Sequence, residues 1–277
     1  MAHFLEDFPA DIPDLPELVT LARVAGAEHI VCLTISRPEV MNCLSFPTLK
    51  RLRSLFCELA ADLSVRAIVI TGSGEKAFCA GADLKERKSM PLDRVPLFVK
   101  NIRRTMDDLA NLPQPTIGAI NGVAFGGGTE LLLACDLRVA APHAQLGLTE
   151  TSLAIIPGAG GTQRLLRLIG RARAKDLILT ARRLDALEAE RIGLVNKVFP
   201  QETFMQEVLA YARTLAQTVS PRSTAVIKAQ VWKALHQEFN DALALADAEM
   251  KKSFASADFK EGVAHYVEKR APAFTGA

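Results

Sequence analysis

A triple glycine between two apolar segments constrains the fold of this chain more than any other feature. Residues 121–164 read NGVAFGGGTELLLACDLRVAAPHAQLGLTETSLAIIPGAGGTQR. Glycines at such a junction let main-chain N–H groups approach a neighbour closely, and the run after them suits a buried helix. Glu130 stands two residues after the last glycine, and Glu150 follows 20 residues later. Exposed backbone donors beside two carboxylates in apolar surroundings indicate acid–base chemistry on a polarised carbonyl.

Short apolar segments alternate with helical patterns as far as about residue 200. The predicted strands are 29–35, 67–71, 116–120, 137–141 and 194–199. The predicted helices are 45–63 with Ser45 as its cap, 92–109, 130–134 and a helix-turn-helix over 170–191. This alternation predicts an α/β fold with parallel strand pairing, while residues 201–277 show only helical patterns. We therefore expect a core over 1–200 and a helical region over 201–277.

Composition excludes several classes of protein. The 277 residues are 49% hydrophobic and 23% charged, with a net charge of +2, which is typical of a globular chain and gives no reason to expect nucleic-acid binding. No run of 18 uncharged apolar residues predicts a membrane span. Residues 1–20 resemble a loose, acidic, proline-containing arm rather than a signal or transit peptide, so we expect a cytoplasmic protein.

The cysteines and histidines indicate no metal site. The five cysteines are scattered through apolar segments without ligand spacing, and the five histidines form no cluster. Reduced thiols and an absence of bound metal are expected.

Two loops have the same design, with small residues that lead from a predicted strand into a helix. They are residues 79–85 (CAGADLK) and 125–130 (FGGGTE). One N–H from each loop would form an oxyanion hole if the two loops converged. Taken alone, the first loop equally fits a helix start capped by Asp83, and the second fits a tight turn. Glu130 alone fits either a paired structural carboxylate or a functional one, and Glu150 alone fits the first turn of a capped helix.

Several segments, in this order, resemble the enoyl-CoA hydratase/isomerase (crotonase) superfamily over roughly residues 28–275. They are residues 36–45 (SRPEVMNCLS), 77–85 (AFCAGADLK), 126–130 (GGGTE), 134–136 (ACD), 144–150 (AQLGLTE), 156–165 (IPGAGGTQRL), 258–262 (DFKEG) and 268–270 (EKR). The resemblance implies a crotonase-like spiral of ββα units followed by a C-terminal helical trimerisation region. It also implies an acyl-CoA thioester substrate and no cofactor beyond the coenzyme A of that substrate.

The same resemblance implies roles for individual residues. The amides of Ala82 and Gly127 would bind the thioester oxygen, and Gly158 would offer a further donor. Glu130 would help to activate water for attack at Cβ, while Glu150 exchanges the proton at Cα. The implied coenzyme A contacts are Cys43, Ala80, Asp83, Leu84 and Lys85. Carboxylates at both positions favour an enoyl-CoA hydratase over an isomerase.

Residues 79–87 and 147–158 also resemble the methylglutaconyl-CoA hydratase branch, some of whose members bind RNA. Three functions therefore stay open: hydration of a trans-2-enoyl-CoA, hydration of methylglutaconyl-CoA in leucine breakdown, and RNA binding or scaffolding. The predicted helix 45–63 lacks a lysine-rich pattern, because its basic residues are balanced by Glu58 and Asp62, and this disfavours RNA binding. The cations of the helix 92–109 are expected to be solvated. The family resemblance implies a homotrimer or a dimer of trimers, and we expect no nucleic-acid or membrane partner.

Overall fold

The structure is a computed structural model that describes residues 7–277. The described residues form ten strands: β1 (Val19–Val24), β2 (Ala27–Ile35), β3 (Ala67–Gly72), β4 (Ala77–Cys79), β5 (Thr116–Ile120), β6 (Val123–Phe125), β7 (Leu137–Ala140), β8 (Gln145–Gly147), β9 (Leu184–Asp185) and β10 (Lys197–Val198). The α-helices of the same residues are α1 (Phe46–Ala61), α2 (Leu84–Ser89), α3 (Val95–Ala110), α4 (Gly127–Ala134), α5 (Gly161–Ile169), α6 (Arg171–Thr180), α7 (Ala186–Arg191), α8 (Phe204–Gln217), α9 (Pro221–Ala234), α10 (Phe239–Ala255) and α11 (Ala257–Glu268).

The strands form two sheets that share a repeating connection. One sheet has the order β1-β2-β3-β5-β7-β10, and its neighbours are parallel except for the antiparallel pair β1-β2. The other has the order β4-β6-β8-β9, with only β8-β9 antiparallel. The consecutive pairs β3-β4, β5-β6 and β7-β8 each place one strand in each sheet before the chain enters helices. This is the predicted spiral of ββα units, and the crotonase fold is confirmed.

The apolar core lies on both faces of the six-stranded sheet. On one face, residues such as Leu33, Ile68 and Ile70 pack with α1, α3, α4 and the second sheet. On the other face, α8 covers Val69 and Ile117 with Val208 and its apolar neighbours. Helix α4 is buried at all eight of its positions, since it lies between the two sheets and its neighbouring helices. The elements that carry the site are therefore fixed by packing on several sides.

Most predicted elements of the core are confirmed. Strands β2, β3, β5 and β7 lie where apolar patterns predicted them, and α1 begins after Ser45, whose hydroxyl accepts from the Thr48 amide. The short strand β4, which leads into the loop 79–85, was not predicted. The predicted helix-turn-helix over 170–191 contains the two-residue strand β9 between its helices.

The loose N-terminal arm is wrong for its described part, residues 7–20, and residues 1–6 lie outside the described residues. Phe8 and Ile12 are buried in the core, and β1 begins at Val19. Asp7 forms ion pairs with Arg53, Lys100 and Arg104 from α1 and α3. These apolar and charged contacts fix the arm, whereas its acidic, proline-containing sequence was the only basis for the prediction.

Only helical elements follow residue 200, as expected. Helix α8 packs on the six-stranded sheet, and Lys228 of α9 reaches the core through an ion pair with Asp136 (2.7 Å). Helices α9, α10 and α11 expose apolar side chains such as Trp232, Phe254 and Val267. The boundary between 1–200 and 201–277 stays a prediction, as does the trimerisation role.

Candidate active site

The two glycine-containing loops meet in the structure and bring two backbone donors together. A β-carbon built on Gly127 would lie 3.7 Å from the Ala82 nitrogen, and one built on Gly81 would lie 3.3 Å from the Gly127 nitrogen. Within residues 7–277, neither the Ala82 amide nor the Gly127 amide has a protein acceptor. Two adjacent free N–H groups, one of them at the first position of α4, can bind a single developing oxyanion.

Glycine is required at specific points for these loops to approach. Gly81 has φ +102° and Gly126 has φ +51°, a left-handed region that other residues rarely adopt. At Gly128 a β-carbon would lie 1.9 Å from the carbonyl oxygen of Cys79, so α4 packs directly on the backbone of β4. The triple glycine therefore sets both the turn and the distance between the two donor loops.

Glu130 is buried on α4 and held by the loop before α5. Its Oε1 accepts hydrogen bonds from the amides of Ala159 (2.7 Å) and Gly161 (2.9 Å). Burial raises the pKa of Glu130, while these two amides and the charge of Arg164 oppose the rise. The carboxylate form is therefore supported on one oxygen, and the pKa is raised less than burial alone would raise it.

Glu150 begins a 3-10 turn, Glu150–Leu153, and its carboxyl group has fewer hydrogen-bond donors than that of Glu130. Its side chain is buried, and its Oε2 has no hydrogen-bond partner. Burial raises the pKa of Glu150 to about 7; its own backbone amide opposes the rise, and the nearby charge of Glu130 adds to it. A carboxyl that titrates near neutral pH can both give and take a proton under ordinary conditions.

Backbone and hydroxyl contacts fix the two glutamates relative to each other. The Gly126 amide donates to the Gly147 carbonyl (2.9 Å), and the Thr129 hydroxyl donates to the same carbonyl (3.0 Å). A β-carbon on Gly126 would lie 3.3 Å from Glu150 Oε1, which places the second carboxylate directly beside the turn that leads to Gly127. The free amides of Ala82 and Gly127 and the two carboxylates are thus connected through the turn at Gly126.

The segment 36–45 lies against the first oxyanion loop. Leu44 and Ala82 form a parallel bridge, in which the Leu44 amide donates to Gly81 (2.8 Å) and the Asp83 amide donates to Leu44 (2.9 Å). Arg37 braces the same region, because its guanidinium donates to the Cys43 carbonyl (2.6 Å) and to Asp83 (2.9 Å). The two segments that the family resemblance assigned to coenzyme A are therefore adjacent.

The five predicted coenzyme A residues divide by accessibility. Leu84 and Lys85 are exposed, and Cys43 and Ala80 are half-buried. Asp83 is buried, and its carboxylate accepts from the Lys85 and Glu86 amides and from Arg37, so its side chain caps α2. Burial raises the pKa of the Cys43 thiol, as does the neighbouring charge of Asp83, which argues against a reactive cysteine. Coenzyme A binding by these residues stays a prediction.

Gly158 lies on the exposed side of the loop that holds Glu130. Its amide has no acceptor among the described residues, and a cavity beside it is lined by Val95, Val99 and Arg103 of α3. The predicted donor role of Gly158 is therefore sterically open, and it stays a prediction.

Sequence reasoning missed the residues that brace the site. Arg37, Thr129 and Arg164 bind main-chain carbonyls of the site loops, and Asn42 is fully buried with hydrogen bonds to Ser73 and Ala77. Each is a polar residue inside a segment that resembles the crotonase superfamily, and this position is the one signal that the sequence offered. Arg138 has a structural role, since its guanidinium donates to the carbonyls of Leu194 and Cys135.

Basic residues near α1 contact this chain itself. Lys50 donates to the Ile12 carbonyl (2.6 Å), Arg53 is buried beside Asp108, and Arg66 donates to the Phe274 carbonyl (2.6 Å). All three side chains are therefore held by contacts within the chain, and for Arg53 these include an ion pair with Asp108.

Over residues 7–277, no group of three or more His, Cys, Asp or Glu side chains is arranged to hold a metal ion. No helix in the same residues is long and apolar enough to cross a membrane.

Comparisons with known proteins identify the family of this chain. The family model described as "Enoyl-CoA hydratase/isomerase" matches residues 25–277. A Bacillus subtilis protein named as an enoyl-CoA hydratase/isomerase is 45% identical over 90% of this chain and 95% of its own length. The mitochondrial methylglutaconyl-CoA hydratase of Rattus norvegicus is 44% identical over 89% of this chain and 79% of its own length. The crystal structure of an enoyl-CoA hydratase from Bacillus anthracis has a TM-score of 0.91 and 42% identity, and covers 94% of this chain and 100% of that chain. This chain therefore belongs to the enoyl-CoA hydratase/isomerase family, that is, to the crotonase superfamily.

Proposed function

We propose that this protein is an enoyl-CoA hydratase, a hydro-lyase that adds water reversibly and in the syn sense across the double bond of a trans-2-enoyl-CoA. One observation supports this most strongly: two buried carboxylates with different environments stand beside the paired amides of Ala82 and Gly127. An isomerase needs one proton carrier, whereas hydration needs one group to take a proton from water while another gives a proton to carbon.

The proposed mechanism assigns each group by its environment. The Ala82 and Gly127 amides bind the thioester oxygen and stabilise the enolate that forms when water attacks Cβ. Glu130, whose ionised form is supported by the Ala159 and Gly161 amides, takes the proton from water. Glu150, with a pKa of about 7, gives its proton to Cα. The reaction uses no cofactor besides the coenzyme A portion of the substrate, which we propose contacts Cys43, Ala80, Asp83, Leu84 and Lys85.

The test is hydration of crotonyl-CoA, followed by the loss of absorbance of the conjugated thioester. We expect activity in the wild type, and losses of about 10²–10⁴-fold in kcat for Glu130→Gln and for Glu150→Gln, since each removes one proton carrier. Binding of a non-reactive acyl-CoA by calorimetry should persist in both variants. Full hydration activity in either variant would refute the mechanism.

Isomerisation of a 3-enoyl-CoA is the competing activity within the family. It would use Glu150 alone and leave Glu130 as a structural acceptor for Ala159 and Gly161. Assay of both reactions on the same preparations separates them. Retained isomerisation in Glu130→Gln, without hydration in the wild type, would favour the isomerase.

A second candidate substrate is methylglutaconyl-CoA, supported by the similarity to the Rattus norvegicus hydratase of that name. One structural observation favours it: Arg103 and Lys100 line the cavity beside Gly158, and Arg103 is 4.0 Å from its nearest carboxylate, Asp107. A cation there could pair with a second carboxylate on the acyl group. Arg103→Gln should lower kcat/KM for methylglutaconyl-CoA and leave crotonyl-CoA hydration unchanged. Equal effects on both substrates would reject this candidate.

We also propose a homotrimer or a dimer of trimers, assembled through α9, α10 and α11. The exposed apolar side chains of these helices, such as Val231, Leu243 and Val263, support an interface. Sedimentation equilibrium should give three or six times the chain mass, and a stable monomer would contradict the assembly. A cytoplasmic location stays a prediction, to be checked by cell fractionation.

A further inference from the structure

Arg164, on the first turns of α5, is a buried cation with no role so far in the reaction. Its side chain is only 9% exposed. One guanidinium nitrogen, Nη1, donates to the Ala159 carbonyl (2.9 Å), and the other, Nη2, donates to Asp107 Oδ1 on α3 (2.8 Å). The guanidinium also lies over the ring of Trp232 on α9, at 5.8 Å from its centroid. Three separate elements therefore define the position of this side chain.

The loop that Arg164 holds is the loop that holds Glu130. The Ala159 carbonyl accepts from Arg164, while the Ala159 and Gly161 amides donate to Glu130 Oε1. Gly160, between them, has φ +95°, and a β-carbon on it would lie 2.2 Å from Arg164 Nη1. These three loop residues are thus clamped between a guanidinium on one side and a carboxylate on the other.

We propose that Arg164 is a positioning residue for the reaction, anchored by Asp107, which orients the Ala159 and Gly161 amides toward Glu130 and supplies a positive charge behind that carboxylate. This inference rests on the proposed hydration, in which Glu130 takes a proton from water. Arg164 does not touch the reacting atoms, because the loop lies between it and Glu130.

The charged groups around this pair determine the sign of the effect. Two charged groups lie near Glu130: Arg164 on α5 and Glu150 on the 3-10 turn. Arg164 itself is paired with Asp107 on α3, and it borders a cavity that is also lined by Arg103, Arg167 and His236. The charge of Arg164 lowers the pKa of Glu130 against the rise caused by burial. Removal of that charge should therefore raise the pKa of Glu130 and shift the acidic limb of the kcat–pH profile to higher pH.

The experiment compares Arg164→Gln, Arg164→Lys and Asp107→Asn with a matched control, Arg167→Gln. Arg167 lies one turn further along α5, is exposed, and donates only to the Gln163 carbonyl. We expect Arg164→Gln to lose about 10–100-fold in kcat, a part of the contribution of a well-placed base, with KM within about three-fold of the wild type. Arg164→Lys keeps the charge without the planar fork and should recover part of the loss. Arg167→Gln should match the wild type.

A second readout does not depend on turnover: NMR titration of ¹³C-labelled glutamate carboxyls, with Glu130 identified by its absence in Glu130→Gln. The Glu130 pKa should rise in Arg164→Gln and change less in Arg164→Lys. If the wild type lacks hydratase activity but this shift is seen, the proposed function fails while the positioning of Glu130 stands. An unchanged Glu130 pKa and an unchanged acidic limb in Arg164→Gln would overturn the inference. If Arg164→Gln does not fold, Asp107→Asn, at a half-exposed position, carries the same test with a smaller expected loss.

Discussion

Glu130 and Glu150 are both buried, yet the chain holds them in different ways. Glu130 lies on a helix that is buried throughout, and two backbone amides bind one of its oxygens. Glu150 lies at the start of a short turn whose next residues are exposed, and its Oε2 has no partner. One carboxylate is fixed and stabilised as an anion, while the other is left poorly solvated.

Two carboxyl groups of the same residue type can therefore differ in acidity within one site. Burial raises the pKa of both groups, and at Glu130 the hydrogen bonds from the Ala159 and Gly161 amides oppose this rise. Because a donor to the ionised form favours ionisation, Glu130 is suited to accept a proton and Glu150 to give one. Such groups share their titration, so the pair rather than either residue determines the pH dependence.

We expect the greatest loss of activity when both proposed proton carriers, Glu130 and Glu150, are replaced. The double variant Glu130→Gln/Glu150→Gln should lose about 10²–10⁴-fold in kcat, that is, about 3–5 kcal/mol of transition-state stabilisation, which is close to the loss in the worse single variant. Groups that act in one step fail together, so the second substitution adds little. Steady-state kinetics on crotonyl-CoA measures this, and losses that multiply would mean that the carboxylates act independently.

A second experiment disturbs the position of Glu130 while leaving Glu150 in place. Gly128→Ala would put a β-carbon 1.9 Å from the Cys79 carbonyl oxygen, so α4 must move away from β4. We expect a loss of about 3 kcal/mol in the free energy of unfolding, together with a loss of activity, because neither backbone can yield cheaply.

The matched control for that experiment is Gly193→Ala. Gly193 has φ +81° with nothing within 4 Å of an added β-carbon, so only the backbone strain of about 1–2 kcal/mol applies. Urea unfolding of the two variants measures the difference. An equal cost at both positions would mean that α4 and β4 are not in the tight contact described above.

A weaker effect concerns how Glu150 changes the free energy of unfolding with pH. The pKa of Glu150 lies above its ordinary value, so the folded state favours the protonated form. At low pH Glu150 is protonated in both the folded and the unfolded state and does not change the free energy of unfolding. As pH rises from the ordinary pKa to about 7, Glu150 ionises more readily in the unfolded state, which lowers the free energy of unfolding; above about 7 this loss is constant. Glu150→Gln should stabilise the protein by about 2 kcal/mol at pH 8, and by less than about 1 kcal/mol at pH 5.

Urea unfolding at the two pH values checks this, with Glu130→Gln as the comparison. The gain at pH 8 should be smaller for Glu130→Gln, since the substitution also weakens two hydrogen bonds to the Ala159 and Gly161 amides. If the gain in the free energy of unfolding from Glu150→Gln does not vary with pH, the pKa of Glu150 is not raised in the folded state.

The predictable parts of the fold are those with enough residues to form a pattern. Strand β3 is buried at all six positions, and α1 has a cap and an apolar stripe, so both could be predicted. Strands β4, β6 and β8 have three residues each and lie among glycines, which is too short for any periodicity. Residue patterns alone therefore could not predict the second sheet.

The sequence predicted the candidate site where the residue type itself indicated chemistry. It did not predict the residues whose role depends on their contacts in the folded chain. Glu130 and Glu150 stood out as carboxylates in apolar surroundings, and the family resemblance gave them a shared role. Arg164 did not, because its contacts with Ala159 and Asp107 cross from one element to another. The loose arm was mistaken for the same reason, since the burial of Phe8 depends on contacts with Phe46, far away in the sequence.

The free amides at Ala82 and Gly127 have a consequence for how this protein can vary. Every residue except proline supplies a main-chain N–H, so only a substitution by proline at either position would delete a donor. All other changes reach these donors indirectly, for example through Gly81 and Gly128, which bring the two loops together. Diversification of this scaffold should therefore leave its ability to stabilise an enolate intact, and act on the side chains that decide where the proton goes next.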